Sequence, residues 1–151
     1  MLPKNFRLYL RDHRVARLAT LNKDNSIHLI PIVFANDSGS IYFAVDQKPK
    51  RTKKLRRLQN IERSGNATIL IDDYSEDWTK LSYSIIYAKA DVLHSEQKLK
   101  ARAIRLLREK YSQYASGKYL PNDSRSTVIV RLSPGKIVQW SAESAPESTL
   151  T

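Results

Sequence analysis

Val15-Ala16-Arg17-Leu18-Ala19-Thr20-Leu21, Ile27 to Ala35 and Ser40 to Asp46 are three apolar runs whose spacing decides the fold. Each has strand length, and the third carries Ile41, Tyr42, Phe43 and Val45, side chains that suit a pleated, half-buried surface. The connections Asn22-Lys23-Asp24-Asn25-Ser26 and Asn36-Asp37-Ser38-Gly39 are built from turn-forming residues. Three strands joined by short turns predict an antiparallel meander.

Outward from the meander, residues 3–13 predict a short helix with Phe6, Leu10 and Tyr9 on one side. Lys48 to Arg63 contains eight Lys/Arg and one acid, Glu62. Its narrow apolar stripe of Leu55, Leu58 and Ile61 predicts a helix with a solvated basic face. Asn66 to Asp73 predicts a strand buried on both faces, and Leu81 to Leu93 a long strand or strand pair. Ser95 is the predicted cap of a helix from Glu96 to about Tyr114. Leu99, Ala103, Leu106, Leu107 and Tyr111 form its apolar face, while Lys98, Lys100, Arg102, Arg105 and Arg108 take the others. Thr127–Leu132 and Lys136–Trp140 predict two strands around a Ser-Pro-Gly turn. Residues 1–140 then form one domain, and the small, polar residues 141–151 are expected to be a disordered tail. Six to seven strands with two to three helices, not alternating regularly, predict an α+β architecture: a small antiparallel barrel with peripheral helices.

Composition narrows the chemistry. The 151 residues include no cysteine, which excludes disulfides, thiolate metal sites and thiol catalysis. No run approaches the roughly 18 apolar residues of a membrane span. Met1-Leu2-Pro3-Lys4-Asn5 lacks the apolar core of a signal peptide, so a soluble cytoplasmic protein is expected. With four glycines (Gly39, Gly65, Gly117 and Gly135), neither a Walker loop nor a dinucleotide fingerprint can be built. His13, His28 and His94 are far apart in sequence, and no metal site is expected. There is no nucleophile elbow around a serine. Any enzymatic chemistry then belongs to a cofactor that the protein binds and orients.

The charge of +11 implies an anionic partner. Its sharpest concentration is Asp46-Gln47-Lys48-Pro49-Lys50-Arg51-Thr52-Lys53-Lys54-Leu55, where a strand ends and a helix is predicted to begin. A helix amino terminus offers free N–H groups and a positive dipole end. Lys48, Lys50, Arg51 and Lys53 add formal charge, and together these features describe either a phosphate site or a basic helix face that is merely solvated.

The order of segments resembles the split-barrel flavin and deazaflavin proteins, the pyridoxamine 5′-phosphate oxidase-like superfamily, and within it the branch of coenzyme F420-dependent enzymes. The resemblance rests on Arg14–Thr20, His28–Phe34, Val45–Thr52, Leu55–Ile61, Leu70–Tyr74 and Glu76-Asp77-Trp78, in the right order and spacing, with the strands ending at Trp140. It implies a split β-barrel and a homodimer with two cofactor sites at the subunit interface. It implies that the cofactor ring lies against the backbone of Leu18, Ala19 and Thr20 and of Pro31, Ile32 and Val33. The phosphate would sit at Lys48, Pro49, Lys50, Arg51, Thr52 and Lys53. The activity implied is hydride transfer between coenzyme F420 and a small organic substrate, with FMN as the alternative cofactor. Two departures stand out. Ser64-Gly65 replaces a common Asn-Pro, and Leu81-Ser82-Tyr83-Ser84-Ile85 replaces a stretch that often carries further Trp and an Arg, which puts the substrate pocket in question.

Trp78 and Trp140 are candidates for substrate or interface contact, although aromatics more often serve packing. His28, ahead of Pro31, reads as a structural hydrogen bonder. A nucleic-acid binder using Lys53 to Arg63 is the less favoured reading, because no aromatic residue interrupts that basic stretch.

Overall fold

A computed structural model describes residues 1–45, 55–120 and 123–150, with the side chains of 145–148 left aside. In chain order the elements are α1 (Lys4–Asp12), β1 (Ala16–Leu21), β2 (Ile27–Ile32), β3 (Ala35–Asn36), β4 (Ile41–Val45), α2 (Arg56–Ser64) and β5 (Asn66–Asp73). There follow a 3-10 turn (Trp78–Lys80), β6 (Ser82–Leu93), α3 (Gln97–Lys110), α4 (Ser112–Ala115), β7 (Val128–Ser141) and β8 (Ser144–Leu150). All strand pairings are antiparallel in one sheet ordered β2-β1-β5-β6-β7-β4-β3, with β8 added to β7.

The order of strands explains the curl. β2 and β3 are opposite edges of the sheet, yet only Val33 and Phe34 separate them in sequence. Three Cα steps span at most about 11 Å, so the edges must meet at this point and the sheet closes into a split barrel. The predicted single strand Ile27 to Ala35 is thus two strands, divided where the chain crosses the seam. Phe34 is buried there, away from ladder partners, and Tyr111 supplies what the ladder does not. The Phe34 N–H donates to the Tyr111 hydroxyl (3.1 Å), and that hydroxyl lies 2.8 Å from the Phe34 carbonyl and 2.7 Å from that of Arg14. Buried backbone groups need such partners.

The barrel interior is apolar. Phe6 and Leu10 of α1 close one side of it, packing with Leu18, Phe34, Phe43, Ile69, Ile86 and Leu132. A second cluster lies outside the barrel, where Ala103, Ile104 and Leu107 of α3 cover Tyr42 of β4, Leu93 of β6 and Ile129 of β7. Strand β4 is therefore buried on both faces, which accounts for its unbroken apolar sequence.

Several boundaries differ from expectation. Thr127–Leu132 and Lys136–Trp140 join into the single strand β7, because β6 is long enough to template both. The Ser-Pro-Gly stretch makes no turn; it falls beside a register shift opposite Ile86/Ala88 that absorbs the proline. The helix from Glu96 ends at Lys110, since Tyr111 turns to extended geometry to reach the seam. Its amino terminus is capped by Glu96 without a side-chain bond, and Ser95 is not the cap. Lys100 is 4% exposed and sits on the covered side of α3. The basic helix begins at Arg56 among the described residues, and 46–54 lie outside them. Gly65 ends α2 in the left-handed region at φ 67°, its N–H donating to Ile61 O at 2.8 Å. The tail expected to be disordered instead supplies β8, paired with β7 from Ile137↔Leu150 to Ser141↔Ser144. The free edge of β7 offers backbone groups that even a polar segment can satisfy.

Candidate cofactor face

Among the described residues, no helix lies on the outer face of β2, β1, β5 and β6. Residues that alternate inward along these strands fill the barrel, and the others project outward in register. One outward row runs Leu29, Ala19, Thr68, Tyr87; the next runs Pro31, Arg17, Leu70, Ile85, Val138; a third joins Asp72, Tyr83 and Trp140. Ile27 is 69% exposed and Leu29 63%, with Leu21, Leu70 and Tyr87 also exposed. Strand β5 was expected to be buried on both faces, but its outward Leu70 is open. Arg17 lies across the face, its Nη1 donating to Asp72 Oδ1 at 3.0 Å. Tyr83 and Trp140 stack with ring centroids 5.5 Å apart and planes 21° from parallel.

The predicted ring-contact residues separate by side chain. Ala19 and Pro31 are on the outward face; Leu18 and Ile32 are buried in the barrel core, and Val33 packs at the edge of the second cluster. Thr20 is also buried, its Oγ1 accepting from Asn60 Nδ2 at 3.0 Å. The same Asn60 amide donates to Asn22 Oδ1 at 2.8 Å, so Asn60 fastens α2 against the end of β1. Arg63 of α2 adds donations to the Leu21 carbonyl and to Asn60 Oδ1. Leu18 and Thr20 therefore offer a cofactor only their backbone. Small Ala19 leaves that backbone open between Leu29 and Thr68.

Docking α2 in this way brings its first turn beside β2. His28 is half-buried opposite Thr20; burial first, then the charges of Arg57 and Arg56, lower its pKa below the ordinary histidine value. Positive charge thus borders this end of the strands. Lys48, Pro49, Lys50, Arg51, Thr52 and Lys53 lie outside the described residues. Trp140 belongs to the face, stacked on Tyr83, while Trp78 is 69% exposed in the 3-10 turn. Tyr83 lies in the Leu81–Ile85 stretch already tied to the pocket, whereas Tyr87, Leu29 and Arg17 were not proposed as site residues from the sequence; the period-2 alternation of Tyr83, Ile85 and Tyr87 was the available signal for Tyr87. Among the described residues, no group of three or more His, Asp or Glu is placed to hold a metal ion, and no helix is long and apolar enough to cross a membrane.

The family profile described as pyridoxamine 5′-phosphate oxidase matches residues 2–141. No curated protein sequence matches the chain. Among solved structures, a conserved hypothetical protein from Mycobacterium tuberculosis aligns with TM-score 0.73 and 17% identity, covering 94% of this chain and 86% of that one. The heme storage protein HutZ from Vibrio cholerae aligns with TM-score 0.68 and 14% identity, covering 93% and 95%. A FAD-binding protein from Mesorhizobium loti aligns with TM-score 0.64 and 15% identity, covering 91% and 94%. At these identities the likeness is one of fold.

Proposed function

The chain belongs to the pyridoxamine 5′-phosphate oxidase family, and from that membership we propose that it is a homodimeric oxidoreductase holding a phosphate-bearing flavin-type cofactor between two copies, coenzyme F420 before FMN. The observation that carries this reading is the uncovered apolar sheet face centred on Ala19, with exposed Ile27, Leu29 and Leu70 around it. A second copy would cover such a face, and a flat ring could lie on the open backbone of β1 and β2 within it. Arg56 and Arg57 supply positive charge at its border, and Lys48 to Lys53 precede them in the chain.

The FAD-binding relative from Mesorhizobium loti supports a flavin-class cofactor. The surplus of +11 suits an anionic cofactor, and the acidic tail of F420 favours it over FMN. Bound there, such a ring supplies hydride transfer, and this chain's residues position it and exclude water. Tyr83 and Trp140 would border the site from β6 and β7, where a small organic substrate could approach.

Fluorescence titration with F420 and, in parallel, FMN tests the reading. Saturable F420 binding with weaker FMN binding is expected, and Lys50→Ala with Lys53→Ala should weaken it at least tenfold while light scattering still reports a dimer. Tighter FMN binding would move the protein to the flavin branch. Binding of neither would overturn the proposal.

A further inference from the structure

A second basic surface lies away from the sheet face just described, on the side of the barrel that α3 covers. Between α1, β3 and α3 opens a cleft of about 790 Å³, within the size range of small-molecule sites. Six cations line it, Lys4, Arg7, Arg11, Arg14, Arg102 and Lys110, against two acids, Asp37 and Glu109. None of these residues belongs to the proposed cofactor site.

The two acids do not neutralise the six cations, although Arg11 is paired with a further carboxylate, its Nε donating to Asp12 Oδ1 at 3.2 Å. Asp37 is engaged by the loop that precedes β4: Oδ1 accepts from the N–H groups of Gly39 (2.9 Å) and Ser40 (2.8 Å), and Oδ2 from the Tyr42 hydroxyl (2.9 Å), with Arg102 at 3.7 Å. Glu109 is exposed and lies 3.9 Å from Arg105, a cation outside the cleft. Arg14 and Lys110 donate to neutral carbonyls, those of Lys110 (2.6 Å) and Leu10 (2.9 Å), which orient the heads without cancelling charge. The Arg7 Nε is buried and has no acceptor among the described residues. The fork of donors on a guanidinium suits an anionic oxygen.

We propose that this cleft binds a small polyanion, a metabolite-sized molecule whose phosphate or carboxylate groups are gripped by Arg7, Arg102 and Lys110. Arginine forks match the oxygens of either group. Leu8, Leu106 and Ala35 give the cleft an apolar wall against which an organic body can rest. Burial first, and then the neighbouring Arg14, push the pKa of Lys110 down to about 8, against a smaller opposing pull from Asp12. A bound anion acts in the opposite sense and raises it.

Calorimetric titration of the full chain with inorganic pyrophosphate and, separately, citrate tests this. Saturable binding of one or both is expected, and the tighter of the two identifies the head group as phosphate or carboxylate. Arg7→Gln should weaken it at least tenfold, while Lys118→Gln, which removes an equal charge outside the cleft, should change it less than twofold. If Arg7→Gln does not fold, Arg102→Gln at the half-exposed rim carries the same expectation. In NMR, the Lys110 ammonium should titrate at higher pH with the anion bound. Equal losses in the arginine and Lys118 variants, or no saturable binding of either anion, would overturn the proposal. So would a short DNA duplex that binds in an Arg7-dependent way while pyrophosphate and citrate do not.

Discussion

The outside of this one curled sheet has two halves that meet opposite fates. Under α3, Tyr42 of β4 is 1% exposed; on β2, Leu29 is 63% exposed. Both positions project outward from strands of similar apolar character. What differs is the supply of helix: α3 has 14 residues, a length of about 21 Å, enough to cover the neighbouring strands β4, β7 and the end of β6. Nothing of comparable length lies on β2, β1 and β5 among the described residues. Apolar composition therefore marks a surface to be covered, but not whether the cover comes from the same chain.

The contrast can be broken or sharpened by substitution. Leu107→Ala removes the fully buried contact of α3 with the sheet and should destabilise the protein by about 2–5 kcal/mol in denaturant unfolding. A cost below about 1 kcal/mol would mean that α3 is a loose cover and the two halves are alike. Tyr111→Phe keeps the ring but leaves the buried Phe34 N–H without its acceptor, with an expected loss of about 1–3 kcal/mol. Unchanged stability would show that the seam does not depend on that hydroxyl. Leu29→Glu on the open half should change the stability of the isolated subunit by no more than about 0.5 kcal/mol. Light scattering should nonetheless show the proposed dimer dissociating to monomers. If Leu29→Glu instead costs as much as Leu107→Ala at concentrations where the chain is monomeric, the open face is covered from within the chain.

The fold class was legible because strand-length apolar runs and turn residues are local signals. The first helix was legible for the same reason, since Phe6 and Leu10 one turn apart define a single face that needs no long-range information. The candidate site was less legible. Ala19 and Pro31 were named in advance and do lie on the open face, yet Leu18 and Thr20, named beside them, turn their side chains inward. A strand's period separates the two sets, but only the closed barrel says which set is inside.

By itself, the sequence determined the antiparallel α+β character, the lack of thiol and nucleotide-loop chemistry, and the strong positive charge, because each depends on residue types and short spacings. Only the tertiary structure decided that Ile27 to Ala35 splits across the seam at Phe34, that the two halves of β7 run as one strand along β6, and that the polar carboxy-terminal segment becomes β8. It alone brought six cations, from α1, from Arg14 just after it and from the distant α3, into one cleft. These features depend on which strand edges and helix faces meet in space. That is settled by closure of the sheet and by the demand that every buried backbone group find a partner, not by any window of neighbouring residues.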